Sequence, residues 1–260
     1  MNAAMSLTQA PPRVSLPRIY ALESKHEFLR LLRAPSFAVP TLMFPPMFYL
    51  LFAVLFVSGR GDFHANVYLL ATYGVFGVMA PGLFGFGVSV ALDRERGWLR
   101  LKRAQPMPPG AYLASKLSMA MLFAAVIFGI LALLATTAGG VRLPAASWLT
   151  LLGVEVLGVL PFCAIGLFVG TLVNGQAAPA VINLVYLPMS FLSGLWMPLS
   201  ILPAAVRDVA PLWPAYHLGQ LALGAVGETM VGSAAGHLAA LAAVTAVFLA
   251  FARRRLARST

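Results

Sequence analysis

One acid stands inside a long apolar stretch: Glu155, within residues 148–173. A carboxyl in hydrocarbon is expensive, so it marks a place that could bind a cation, relay a proton or hold a cationic substrate group. A protonated carboxyl bonded to a neighbouring helix would serve equally well, and the sequence leaves both readings open. Asn183 is the other polar residue within such a stretch that could face a pathway. His64, His217 and His237 show neither H-x-x-x-H nor H-E-x-x-H spacing, so no metal site is expected. Ser89 and Ser193 have no base paired with them in sequence, and no G-x-S-x-G elbow occurs, so no catalytic residue is expected. Residues 110–117, GAYLASKL, carry a lysine at the offset of a phosphate-binding loop. Ser115 stands where the second glycine must be, so ATP-driven work would need another subunit.

The densest chemistry is charge. Residues 93–109, DRERGWLRLKRAQPMPP, hold Arg94, Arg96, Arg100, Lys102 and Arg103. Such a run can bind anionic headgroups or dock onto a cytoplasmic partner. Asp93 and Glu95 are mixed among the bases, Trp98 lies between them, and Gly97 and the prolines at 106, 108 and 109 bound the segment. That patterning describes a short defined helix and favours docking.

The elements that must position these residues follow from hydropathy. The chain of 260 residues is 60% hydrophobic and 10% charged, against about 25% charged in a soluble domain. Apolar runs of membrane-crossing length recur, and no strand-like alternation appears. The expected fold is an all-α polytopic membrane protein with six transmembrane helices, at about 36–57, 67–91, 111–138, 148–173, 178–196 and 233–252. Residues 1–17, rich in proline, are expected to be disordered. Residues 18–34 read as an amphipathic interface helix: Ile19, Leu22, Leu29 and Leu32 share one face, while Glu23, Glu27 and Arg30 lie off it. Glu27 and Arg30 can pair at i,i+3. Residues 92–110 form the basic loop, and Lys116 just beyond it is expected to snorkel to the interface. Between 198 and 230, Pro198, Pro203, Pro211 and Pro214 cut an apolar segment into short re-entrant or interfacial helices. Trp196, Trp213 and Tyr216 suit headgroup depth. Residues 253–260 are a basic tail.

Six spans place both termini on one side, and fifteen of the eighteen basic residues then share that side. The positive-inside rule makes it cytoplasmic. The formal charge of +10 therefore points to membrane orientation and not to nucleic acid. The single cysteine, Cys163, can form no internal disulfide. No apolar segment precedes residue 36, so the first span is expected to act as its own insertion signal.

Residues 94–116, RERGWLRLKRAQPMPPGAYLASK, resemble the segment after the second span of the ABC transporter type-2 permease family, E-R-x-x-G-x-L-x-x-L-x-x-x-P-x-x-x-x-x-x-L-x-x-K. Glu95, Arg96 and Gly97 supply its acid, base and glycine without intervening residues, and Pro106 and Lys116 stand in the expected places. Residues 192–216, LSGLWMPLSILPAAVRDVAPLWPAY, are similar to the family's segment after the fifth span, through Ser193, Gly194, Pro198, Pro203, Pro214 and Tyr216.

The resemblance implies the membrane subunit of a bacterial ABC exporter in the cytoplasmic (inner) membrane. Two such subunits, identical or closely related, would form the core, with two ABC ATPase subunits beneath. ATP and Mg would be held by those partners, and no cofactor by this chain. Asp93, Arg94, Glu95, Arg96, Gly97, Trp98 and Arg100 would form the coupling helix. Glu23, Glu27 and Arg30 would belong to the interface helix, and Pro198, Pro203, Pro214 and Tyr216 to an outer cap. The cargo would be a drug, lipid, glycoconjugate or peptide. Spans poor in ionisable groups suit a lipophilic or amphipathic cargo. The rival readings are a gradient-driven transporter or channel using Glu155, a membrane-embedded enzyme, and a permease of the same family serving signalling or self-immunity.

Overall fold

The computed structural model describes residues 15–57, 63–98, 101, 108 and 110–258. Arg100, Lys102 and Arg103, and the amino-terminal tail to residue 14, lie outside the described residues.

All elements among the described residues are helical. α1 (Leu16–Leu32) begins on Pro17, whose fixed φ suits a first turn, and ends on the break at Arg33 and Ala34. α2 (Pro35–Tyr49) carries Pro40, Pro45 and Pro46 and continues as a wider π-helical stretch, Leu50–Val57. α3 (Phe63–Ala80) meets Pro81, which has no N–H to donate. There the helix opens into π-helical Pro81–Val88 and returns to α geometry in α4 (Ser89–Glu95). α5 is Ala111–Thr137. α6 (Ala145–Gly158) and α7 (Leu160–Leu172) run on with a break at Val159 before Pro161. α8 is Ala178–Leu192. Short turns, α9 (Ala204–Val209) and α10 (Pro214–Ala225) lead to α11 (Ala234–Arg258).

Five of these helical stretches are long and apolar enough to cross a membrane: Pro35–Ala53, His64–Glu95, Ala111–Thr137, Ala145–Leu172 and Ala234–Leu256. α8 is apolar but only 15 residues long, about 22 Å at 1.5 Å per residue. The chain is thus an all-helical, multi-pass membrane protein.

The His64–Glu95 stretch is the centre of the bundle. Its most apolar window is 83% buried, against 11% for Ala234–Leu256 at the rim. Glycine makes the tightest crossing. A Cβ on Gly166 of α7 would lie 2.6 Å from the Gly82 carbonyl, and one on Gly170 would lie 2.5 Å from the Gly87 carbonyl. The two backbones touch directly, the small-residue packing that lets helices associate where apolar burial supplies no driving force. Above this crossing, α10 is inserted among α3, α6 and α11, and its residues 214–216 and 218–223 are all buried.

Candidate functional site

Charge is buried where α1, α4 and α5 meet. Lys116 is wholly inaccessible to solvent, and its Nζ lies 2.6 Å from Glu27 Oε1, 3.0 Å from Asp93 Oδ2 and 2.7 Å from Ser89 Oγ. The three donors of the ammonium thereby have three acceptors, which is what a buried lysine requires. Lys116 does not snorkel as expected from its position near a helix start. α1 lies along α5 and covers it, and two acids replace the water. Arg30 joins from the rim, 2.6 Å from Glu27 Oε1 and 3.3 Å from Asp93 Oδ1. The i,i+3 pairing of Glu27 with Arg30 is thus formed. The Tyr112 hydroxyl donates to Asp93 Oδ2 at 2.9 Å. Burial alone would lower the Arg30 pKa, but Glu27 and Asp93 outweigh it and raise it. Two acids and two bases balance, so the cluster holds three helices together without net charge.

The next two residues grip a different part of the bundle. The Arg94 guanidinium donates to the carbonyls of Thr171 and, at 2.7 Å, Val173. These lie at the carboxyl end of α7, where carbonyls lack helical partners and a cation is favoured. Glu95 Oε2 accepts the Gly175 N–H at 2.8 Å. Gly97, at φ +72°, then turns the chain in the left-handed region that a side chain would strain. Trp98 and Leu101 project beyond it, 51% and 62% exposed. The segment that reads from sequence as one docking helix is therefore divided. Asp93, Arg94 and Glu95 hold it to the bundle, and Arg96, Trp98 and Leu101 are exposed. Glu23 lies half-buried on α1.

A long groove opens above this cluster. Its cavity of about 790 Å³ runs between α2 and α8, with the 76–96 stretch as floor. Arg30, Asp93 and Arg96 line one end, and Phe48 and Trp196 the other. Of the two pathway candidates, Asn183 lines the groove. Glu155 is placed elsewhere. It is 1% exposed and packed so closely on α3 that a methyl group at Gly74 would overlap its carboxyl. Neither carboxyl oxygen has a hydrogen-bond partner among the described residues. An uncompensated ion is disfavoured there, which fits a neutral carboxyl.

At the far end of the bundle, Pro203 and Pro214 precede and begin α9 and α10, and Pro198 precedes a 3₁₀ turn. Tyr216 packs edge-on against His217 and His237, its centroid 5.4 and 5.9 Å from theirs. His217 Nε2 bonds the Pro211 carbonyl at 2.9 Å, and His237 Nε2 bonds the Val231 carbonyl at 2.8 Å. The two Nδ1 atoms are 2.9 Å apart. Carbonyls only accept, so both Nε2 atoms carry protons, and the bond between the rings needs a third. Two neutral imidazoles protonated at Nε2 leave no proton for the contact between their Nδ1 atoms. Burial and then His237 lower the pKa of His217, so protonation of its ring is resisted. His64 Nδ1, 2.8 Å from Glu228 Oε1, closes a second contact at this end. No group of three or more metal-ligating side chains occurs among the described residues.

Sequence spacing could not reveal the Lys116 cluster, whose members are 89 and 23 residues apart. The pattern E-R-x-x-G-x-L did contain a signal. Asp93-Arg94-x-x-Gly97-x-Leu99 satisfies its spacing with aspartate for glutamate. That register names Asp93 and Arg94, which the structure ties to α5 and to the end of α7.

The family model of the ABC-2 type transporter matches residues 21–226. The Bacillus subtilis (strain 168) protein that carries the name transport permease YvfS is 26% identical over 199 residues, covering 76% of this chain and 81% of its own length. The chain belongs to the ABC-2 type transporter family.

Proposed function

We propose that this permease is the pathway-forming subunit of an exporter powered by a separate ABC ATPase. The single observation that carries the coupling is the double attachment of residues 93–95. Asp93 is tied to α1 and α5 through Lys116 and Arg30, and Arg94 and Glu95 are tied to the turn between α7 and α8. A push on the protruding Trp98 and Leu101 reaches all four helices through these bonds, most of them part-buried. Two of the groove's walls belong to this set: the 76–96 stretch is its floor and α8 one side. Displacing the segment would alter the groove, as alternating access requires.

In this reading α8 completes a sixth crossing, both termini face the cytoplasm, and a second copy or a close relative closes the groove. Large apolar side chains on the helices that wall it, Met43, Phe44 and Met47 on α2 and Leu184 and Leu187 on α8, are exposed in the single chain. The cargo is lipophilic or amphipathic, since the groove wall is mostly aromatic and aliphatic. Glu155, packed away from the groove, does not serve as its ion site.

The test is co-purification from gently solubilised membranes. An ATPase with a phosphate-binding loop should accompany the wild-type chain and be lost from a Trp98→Asp, Leu101→Asp variant. Recovery of the chain without any such ATPase, or equal recovery with the variant, would overturn the proposal.

A further inference from the structure

We propose that the groove selects amphiphiles with a negatively charged head, seated with the head at Arg96 and Arg30 and the apolar body along α2 and α8. The inference rests on the transport reading above and adds the charge of the cargo and its orientation.

The two ends of the groove differ in chemistry. Phe44, Phe48, Phe76, Phe84, Tyr186 and Trp196 give the upper wall six aromatic rings and no charged group. Arg30, Asp93 and Arg96 are the charged residues of the lining, and all three are at the lower end. Their charges are not equally available. Asp93 is 11% exposed at its side chain, and Lys116, Arg30 and Tyr112 already occupy its oxygens. It has little capacity left for a cationic ligand. Arg30 keeps 44% of its side chain exposed while holding Glu27 and Asp93. Arg96 is exposed, and no ion pair ties it up among the described residues. With Glu27, Asp93, Lys116 and Arg30 in balance, Arg96 supplies the unspent charge at the mouth.

A guanidinium offers a fork of donors to a phosphate, sulfate or carboxylate, and little to an ammonium. A volume of about 790 Å³ accepts a head and a substantial apolar body. A free anion would meet the same arginine without using the aromatic wall, so the groove as a whole fits an amphiphile. Asn183, the amide in the lining on α8, can bond a neutral polar part of the same ligand.

The experiment uses the full chain with its ATPase in phosphatidylcholine nanodiscs. Three photoaffinity probes share one diazirine-bearing alkyl chain and carry a phosphate, a glucoside or a trimethylammonium head. Labelling is mapped to peptides of the groove. The phosphate probe should label groove residues about tenfold more than the trimethylammonium probe, the size expected of one charge-assisted contact. Arg96→Gln should remove most of that preference without changing labelling by the glucoside, and Arg96→Glu should invert it. A merely structural arginine would not produce inversion. Millimolar inorganic phosphate should not displace the probe.

Equal or stronger labelling by the cationic probe, or a preference untouched at position 96, would overturn the anionic assignment while leaving the transport reading intact. Displacement by inorganic phosphate would overturn the amphiphile. Failure of all three probes to label the groove, with no effect on ATPase activity, would overturn the transport reading itself and the inference with it.

Discussion

Replacing Lys116 with methionine keeps the length and apolar stem of the side chain and removes its charge. The ammonium is fully buried between Glu27 and Asp93. Removing one partner of a buried ion pair typically costs ~3–5 kcal/mol, because the remaining charge is stranded. Here Arg30 stays within 2.6 Å of Glu27 and 3.3 Å of Asp93 and compensates in part. The expected cost therefore lies at the lower end, ~3 kcal/mol. For a chain of this size that is a fall of about 6–12 °C in melting temperature. After the change, two acids share one arginine. Adding Glu27→Gln removes the surplus negative charge, so the double variant should regain at least half of the loss. Fluorescence-detected melting of the solubilised chain reads both effects. A fall under about 2 °C for Lys116→Met, or a double variant no more stable than the single, would refute the reasoning that these charges support one another.

Other perturbations test other contacts. Gly74→Ala should destabilise the bundle by ~1–3 kcal/mol through overlap with the Glu155 carboxyl. Glu155→Ala in the same chain should restore most of it, and melting curves of the four combinations decide. Gly166→Val should be at least as damaging, since its Cβ would meet the Gly82 carbonyl at 2.6 Å, a backbone atom that cannot move aside as a side-chain end can; loss of the folded monodisperse peak on size exclusion is the readout. The folded-state pKa of His217 is depressed below its ordinary value of 6.5. Its contribution is therefore present above that value and lost as pH falls through the lowered one. The difference in melting temperature between wild type and His217→Gln should shrink on going from about pH 7.5 to about pH 5.

The helical architecture was legible because hydrophobic runs and proline positions act locally. Pro81 and Pro161 mark places where the backbone departs from a regular helix, and each can be read from its own neighbourhood. Glu27 with Arg30 was legible for the same reason, one helical turn separating them. Lys116 was not. Its position beside a basic loop suggests a solvated end, and only the placement of α1 over α5 reveals that water is excluded and Glu27 replaces it. Arg94 and Arg96 are indistinguishable in composition, yet one caps α7 and the other faces the groove mouth. That division depends on which side of a short helix meets α7, which spacing alone does not specify. Glu155 was recognisable as costly from sequence, but its packing on Gly74, away from the groove, required the relative rotation of two helices.

The most direct test of the account follows the groove while the ATPase works. Spin labels at exposed Met43 and Leu184, on α2 and α8, report its width in the ATPase complex by pulsed electron resonance. The account predicts that trapping ATP changes this distance in the wild type. In Arg94→Gln the ATPase should remain bound while the distance stays fixed, because the grip on α7 is lost. The same change in both proteins would contradict the claim that residues 93–95 transmit the motion.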